Sequence, residues 1–136
     1  MRFTACHTFA TQKMEKKLKG EFPLCLDGAP ILLPSSGSQL RSGIDQWLDK
    51  HRIHPRMIAE FDDSALMKAF GQEGAGIFIA PAVIKEEVEW QYQVTEIGRV
   101  DEVKEHFYAI SIERRVQHPV VSIVVEAARE LLFAAE

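Results

Sequence analysis

The chain has 136 residues, of which 46% are apolar and 26% charged, and its formal net charge is −4. Those totals suit one ordinary globular domain with a real core, and they exclude collagen-like, low-complexity and disordered classes. No basic stripe is present, so the polypeptide does not read as a nucleic-acid binder, and Lys13, Lys16, Lys17 and Lys19 read as a solvated helix face. No apolar run approaches membrane-spanning length, and Met1-Arg2-Phe3 opens no long apolar signal segment. The expectation is a soluble, cytoplasmic chain with no membrane partner. Cys6 and Cys25 show no metal spacing, which fits a reducing compartment.

In chain order, Arg2 to Phe9 reads as a strand with Phe3, Ala5, His7 and Phe9 on one face. Ala10, Met14 and Leu18 mark a short basic helix that Gly20 can close, and Glu21 to Pro30 is irregular. Ile31-Leu32-Leu33 is a short buried strand ended by Pro34. Ser36 with Gln39 then forms a capping box for a helix in which Leu40, Ile44, Trp47 and Leu48 hold one face. Arg41, Asp45, Asp49 and Lys50 fall on its solvent side.

The central stretch is Glu60 to Pro81. Apolar residues from Met57 to Phe61 make a strand, and Asp62-Asp63-Ser64 can cap the helix that carries Leu66, Met67 and Phe70. Gly71, Gly74 and Gly76 end that helix and turn the chain into a buried strand, Gly76 to Ala80, which stops at Pro81. Strand, capped helix, strand is a βαβ unit, which makes the two strands parallel. Ligands in such sheets bind at the carboxyl ends of the strands, which points at Phe61-Asp62-Asp63 and Ala80-Pro81.

After Pro81 a second helix is expected over Ala82–Trp90, then a strand Tyr92–Ile97, a polar turn Val100–Lys104 and a strand His106–Ile112. The last segment is read as a helix, because Val121, Val124, Ala128, Leu131 and Leu132 share one helical face.

Motifs for catalysis are missing. The sequence has no nucleophile elbow, no phosphate-cradling glycine loop and no zinc spacing, and its five histidines are scattered. His51 and His54 show no evident carboxylate partner. The expectation is a non-enzyme without a cofactor. Two helix starts do carry a functional reading: Ser35 to Ser38 and Asp62 to Ser64 both follow parallel-type strands. Their N–H groups and hydroxyls can receive an anion, and the paired aspartates Asp62 and Asp63 can offer oxygen ligands to a cation. The plainer reading is that these side chains only cap their helices.

The stretches Glu60–Gly71, Ile77-Phe78-Ile79-Ala80-Pro81, Ile97-Gly98-Arg99-Val100 and Gln117-His118-Pro119 resemble the effector-binding domain of LysR-type transcriptional regulators. So does the pattern Leu40-Arg41, Asp45, Trp47-Leu48. Within that family the resemblance is strongest to a sodium-responsive activator of a sodium/proton antiporter gene. It implies an α/β, periplasmic-binding-protein-like (type 2) half-domain with a mostly parallel, Rossmann-like sheet flanked by helices. By analogy residues 9–106 form the second α/β half, and 3–9 and 107–112 are crossing strands. Residues 118–133 form a terminal helix that packs on a first half not present here.

The resemblance implies an effector cleft to which this half contributes Ser35, Ser36, Gly37, Ser38, Phe61, Asp62, Asp63 and Pro81, with Asp62 and Asp63 as candidate Na⁺ ligands. It also implies a small effector or Na⁺ as partner, a homo-oligomer, and DNA contact only through an N-terminal helix-turn-helix outside this sequence. The exposed face of the terminal helix, or the crossing strands, would then favour self-association. Two alternatives from the residues alone are a stand-alone solute-binding module and a small α/β enzyme.

Overall fold

The structure is a computed structural model that describes residues 2–107 and 127–128. Its elements run β1 (Arg2–Ala10), α1 (Gln12–Lys17), β2 (Pro30–Pro34), α2 (Gln39–Lys50), β3 (Arg56–Phe61), α3 (Ser64–Gln72), β4 (Phe78–Pro81), α4 (Lys85–Tyr92) and β5 (Thr95–Phe107). Short 3-10 turns occupy Leu24–Leu26 and Ala82–Ile84.

β2 and β3 pair in parallel, and a parallel bridge from Ile31 to Ile77 joins β2 to the approach of β4. The bridge is made by Leu32 N–H donating to the Ile77 carbonyl at 2.7 Å and Ile77 N–H to the Pro30 carbonyl at 2.9 Å. β4 then pairs antiparallel with β1, and β1 antiparallel with β5. The strands therefore lie in the order β3-β2-β4-β1-β5, with four running one way and β1 against them. β3 and β4 are parallel as the βαβ reading requires, with β2 inserted between them.

The sheet is buried on both faces at β2 and β4, which is why they read as unbroken apolar runs, while the edge strand β3 is largely exposed. Ile31, Leu33, Ile77 and Ile79 point to one core, shared with Ile44, Trp47 and Leu48 of α2. Leu32, Phe78 and Ala80 point to the other, shared with Phe61, Met67 of α3 and Val88 of α4. The α2 face matches the sequence expectation at Ile44, Trp47 and Leu48, with Leu40 half-buried at its margin.

Several local expectations are corrected. One-sided alternation in β1 does not hold: Thr4, Cys6 and Thr8 are buried as well as His7 and Phe9, because β1 lies between two strands and is covered on both sides. β5 is one strand rather than two strands around a turn. Cys6 pairs with Val100 while Ala5 pairs with Lys104, so Asp101, Glu102 and Val103 are absorbed as a bulge. The residues that signalled a turn do break the ladder, but the chain keeps its direction. Tyr92 ends α4 instead of opening a strand, and Gln93 turns the chain at φ +54.

Gly71 lies inside α3, where it is buried against Phe78, and the turn is made by Gly74 at φ +82. The capping box at Ser36 does not form; Ser38 caps α2 by accepting from the Arg41 N–H at 3.1 Å. The three-hydroxyl run allowed either start, and Gly37 at φ +98 places the turn so that Ser38 holds the cap. Thr11 caps α1, an unread signal.

The second crossing strand at 107–112 lies outside the described residues apart from Phe107. Of the terminal helix at 118–133, only residues 127–128 are described, as helix.

Candidate functional site at the carboxyl edge of the sheet

β2, β3 and β4 all end at one edge, at Pro34, Phe61 and Pro81. Two of those ends lead directly into helix starts. After β2 the chain turns through Ser35-Ser36-Gly37-Ser38 into α2, and after β3 it turns through Asp62-Asp63 into α3. The parallel pairing of β2 with β3 puts these turns side by side, with the Ser35 N–H donating to the Phe61 carbonyl at 2.9 Å. The Ser35 hydroxyl donates to the Asp62 carboxylate, which ties the two turns by side chains as well.

Asp63 is the helix cap of α3, accepting from the Ala65 N–H at 2.9 Å. Asp62 is thus free of the capping role, and the two aspartates differ in task. Each keeps one carboxylate oxygen outside these bonds, and both residues are exposed. Among the described residues no three His, Cys, Asp or Glu side chains cluster as a metal site. A cation here would have to draw on hydroxyl and carbonyl oxygens beside the two carboxylates. Ser36, Gly37 and Ser38 are exposed on the same turn, while Phe61 is buried and meets Phe70 edge-on at 5.1 Å between ring centroids. Pro81 is buried opposite Cys6 on the neighbouring strand, so it forms the floor of the edge rather than a protruding contact.

Residues that the sequence reading placed outside the candidate site hold this edge together. Arg41 is not on the solvent side: its side chain is 15% exposed. Its Nη1 donates to the Pro34 carbonyl at 2.9 Å and to Glu60 Oε2 at 3.0 Å, and its Nε donates to Asp45 at 3.1 Å. Glu60 Oε2 also accepts the Ser36 N–H at 3.1 Å. The guanidinium therefore fastens the end of β2, the turn and the end of β3. Burial pulls the Arg41 pKa down, but its bonds to Asp45 and Glu60 outweigh that and leave it raised.

Further along the edge, Lys68 of α3 lies within the fields of Glu105 on β5 and of Asp63. Burial lowers its pKa, and both carboxylates oppose the shift. Burial likewise raises Glu105, with Lys68 acting in the other direction. The Cys6 thiol is pushed up to about 12, first by burial and then by Glu105. The sequence signal for Lys68 was its place one turn inside α3; Glu105 fell next to the segment misread as a turn.

Three histidines among the described residues have carboxylate neighbours. His51 Nε2 is 3.4 Å from Glu102, which Lys50 also contacts, and His54 Nδ1 is 4.0 Å from Asp27. His7 Nδ1 is 2.8 Å from Glu96 Oε1, and Lys85 holds the other carboxylate oxygen at 2.7 Å.

This architecture, a mixed sheet in which β2 and β3 run directly into capped helix starts along one edge, is an α/β lobe with a polar carboxyl edge. The LysR substrate binding domain family matches residues 25–132, and the chain belongs to that family. It is 37% identical over 113 residues to the transcriptional activator protein NhaR of Escherichia coli (strain K12), and equally to NhaR of Shigella flexneri. The match covers 83% of this chain and 38% of either relative, so the chain spans well under half of their length.

Among solved structures it resembles a Citrobacter freundii effector-binding domain carrying three substitutions, with a TM-score of 0.66 at 16% identity over 98% of this chain and 65% of that one. It also resembles the Synechocystis CcmR regulatory domain in complex with 2-PG, with a TM-score of 0.62 at 12% identity over 96% and 64%. The expected family and periplasmic-binding-like fold are thereby established.

Proposed function

We propose that this chain supplies the second α/β half (residues 9–106) and the crossing strands (3–9 and 107–112) of the effector-binding domain of a transcriptional activator. The carboxyl edge of β2, β3 and β4 would be one wall of its effector cleft. Ser35, Ser36, Gly37, Ser38, Phe61, Asp62, Asp63 and Pro81 form that wall. Its effector is Na⁺ or a small molecule, and the sequence resemblance to a sodium-responsive activator supports control by Na⁺ and pH. DNA is reached through a helix-turn-helix elsewhere in the regulator, which acts as a homo-oligomer in the cytoplasm. The chain performs no catalysis of its own.

The observation that carries this reading is the tie between the two helix starts, in which Ser35 bonds both the Phe61 carbonyl and the Asp62 carboxylate. A ligand on either turn would act on both, which is what a sensor wall requires. Asp62 supports the cation reading because capping does not consume it.

The test is an NMR titration of the chain with NaCl against KCl at constant ionic strength, in the parent, Asp62→Asn and Asp63→Asn. Asn caps a helix as well as Asp, so Asp63→Asn removes charge while keeping α3. The expected result is a Na⁺-specific shift at Ser35–Ser38 that Asp62→Asn abolishes. An unchanged Na⁺ response in both variants removes the aspartates from the role.

A further inference from the structure

At the opposite end of the sheet, where β2 and β3 begin, the surface holds a concavity of about 500 Å³. That volume lies in the range of small-molecule sites. Its lining includes the apolar residues Leu18, Cys25, Pro30, Ile58 and Ala75, of which Cys25 is buried. Burial pushes the Cys25 thiol upward, so it contributes as a small neutral group rather than a thiolate.

Three cations stand on the rim, namely Lys17, Lys19 and Arg56. None of them makes an ion pair or side-chain hydrogen bond to another described residue. The one rim carboxylate, Asp27, is already engaged by the His54 N–H at 2.7 Å. Arg41, Lys50, Lys85 and Arg99 pair with carboxylates, whereas Lys13, Lys16 and Arg52 share, among the described residues, the unpaired condition of the three cations at the hollow. What sets the hollow apart is its balance of charge, three cations against one carboxylate, in a chain of net charge −4. Lys17 and Lys19 also belong to a basic run that one helix face does not fully explain, since α1 ends at Lys17.

We propose that this hollow binds a small carboxylate with an apolar body, at a site separate from the cleft edge. Arg56 offers a planar fork that matches a carboxylate, the two lysines add mobile point charges, and the apolar lining takes the hydrocarbon part. A bare inorganic anion would leave that lining unused. The site lies at the amino ends of the strands whose carboxyl ends carry Ser35 and Asp62, so a ligand there would contact the same β2 and β3 from behind. The proposal does not depend on the cleft reading.

The test is a ¹⁵N NMR titration of the chain with benzoate, alongside its neutral isostere benzamide and inorganic phosphate. Benzoate is expected to give saturating shifts at Gly28, Ala29, Gly74 and Ala75 with no change at Ser36 or Asp62. Arg56→Gln and Lys19→Gln alter exposed side chains, so the fold is kept. Each should weaken benzoate about fivefold, and benzamide, which loses the charge contacts to all three cations, should bind at least about tenfold more weakly. Equal binding of benzamide overturns charge recognition, and saturation of the same amides by phosphate overturns the apolar requirement. Shifts confined to Ser35–Ser38 and Asp62–Ser64, or none by about 20 mM, overturn the site itself.

Discussion

Arg41 is the side chain on which the proposed cleft edge most depends, and its removal can be worked through quantitatively. Arg41→Met keeps much of the aliphatic stem and deletes the guanidinium. The bond to the Pro34 carbonyl at 2.9 Å is charge-assisted and worth about 1.5–3 kcal/mol. The Glu60 pair adds less, about 0.2–1 kcal/mol, because Glu60 is 38% exposed. The Asp45 pair, spaced i,i+4 on α2, adds about 0.3–0.5 kcal/mol. With some packing recovered by methionine, the expected loss is about 2–3 kcal/mol.

Urea unfolding measures it, and with slopes of about 1–3 kcal/mol/M the midpoint should fall by about 1 M or more. Arg41→Lys retains charge but not the fork, so it should fall between parent and methionine. A double-mutant cycle with Glu60→Gln should return a coupling of about 0.5–1 kcal/mol. The reasoning is refuted if Arg41→Met unfolds within about 0.5 kcal/mol of the parent, the level of an ordinary surface substitution.

Two further outcomes follow from the core. A Cβ at Gly71 would sit 2.5 Å from two ring atoms of Phe78, which is fully buried and stacked on Phe9 at 5.7 Å. Overpacking costs about 1–3 kcal/mol and helix propensity returns about 1, so Gly71→Ala should lower the melting temperature by several degrees; an unchanged or higher value would show that Phe78 yields freely. His7 is held below its usual 6.5, chiefly by burial and also by Arg99 and Lys85, with Glu96 and Asp101 pulling the other way. A depressed histidine contributes stability that is complete above pH 6.5 and declines as pH falls from there through the lowered native value. Chemical denaturation across that window should show the decline in the parent and a flatter profile in His7→Gln; parallel profiles would exclude His7 as its source.

Much of this structure was readable because its signals are local. Leu40, Ile44, Trp47 and Leu48 announce α2 by spacing alone, and Pro34 and Pro81 stop two strands where the chain stops them. Strand-to-helix order was enough to place Ser35–Ser38 and Asp62-Asp63 on one edge. What spacing could not convey is which partner a polar side chain finds across the fold. Arg41 sits on the polar side of its helix by period, yet Glu60, 19 residues away, draws it in. The β1 strand was legible over Arg2 to Phe9, but two-sided burial hid which of its residues are covered, since alternation carries no information when both faces are buried. The β5 bulge hid for a related reason, because Asp101 and Glu102 look the same in a turn as in a ladder defect.

Two-sided burial has a consequence for how β2 finds its place. In a one-sided strand a slip by one residue is punished by polarity, since apolar groups move into water. Ile31, Leu32 and Leu33 would stay in apolar surroundings after such a slip, so polarity cannot choose the alignment. The choice falls to steric keying. A Cβ on Gly76 would lie 3.2 Å from the Pro30 carbonyl oxygen and 3.2 Å from the Leu32 side chain, so any side chain there would press β2 back by a few tenths of an ångström. The strand residues can exchange among aliphatics of similar size, whereas the glycine that touches them holds the lock.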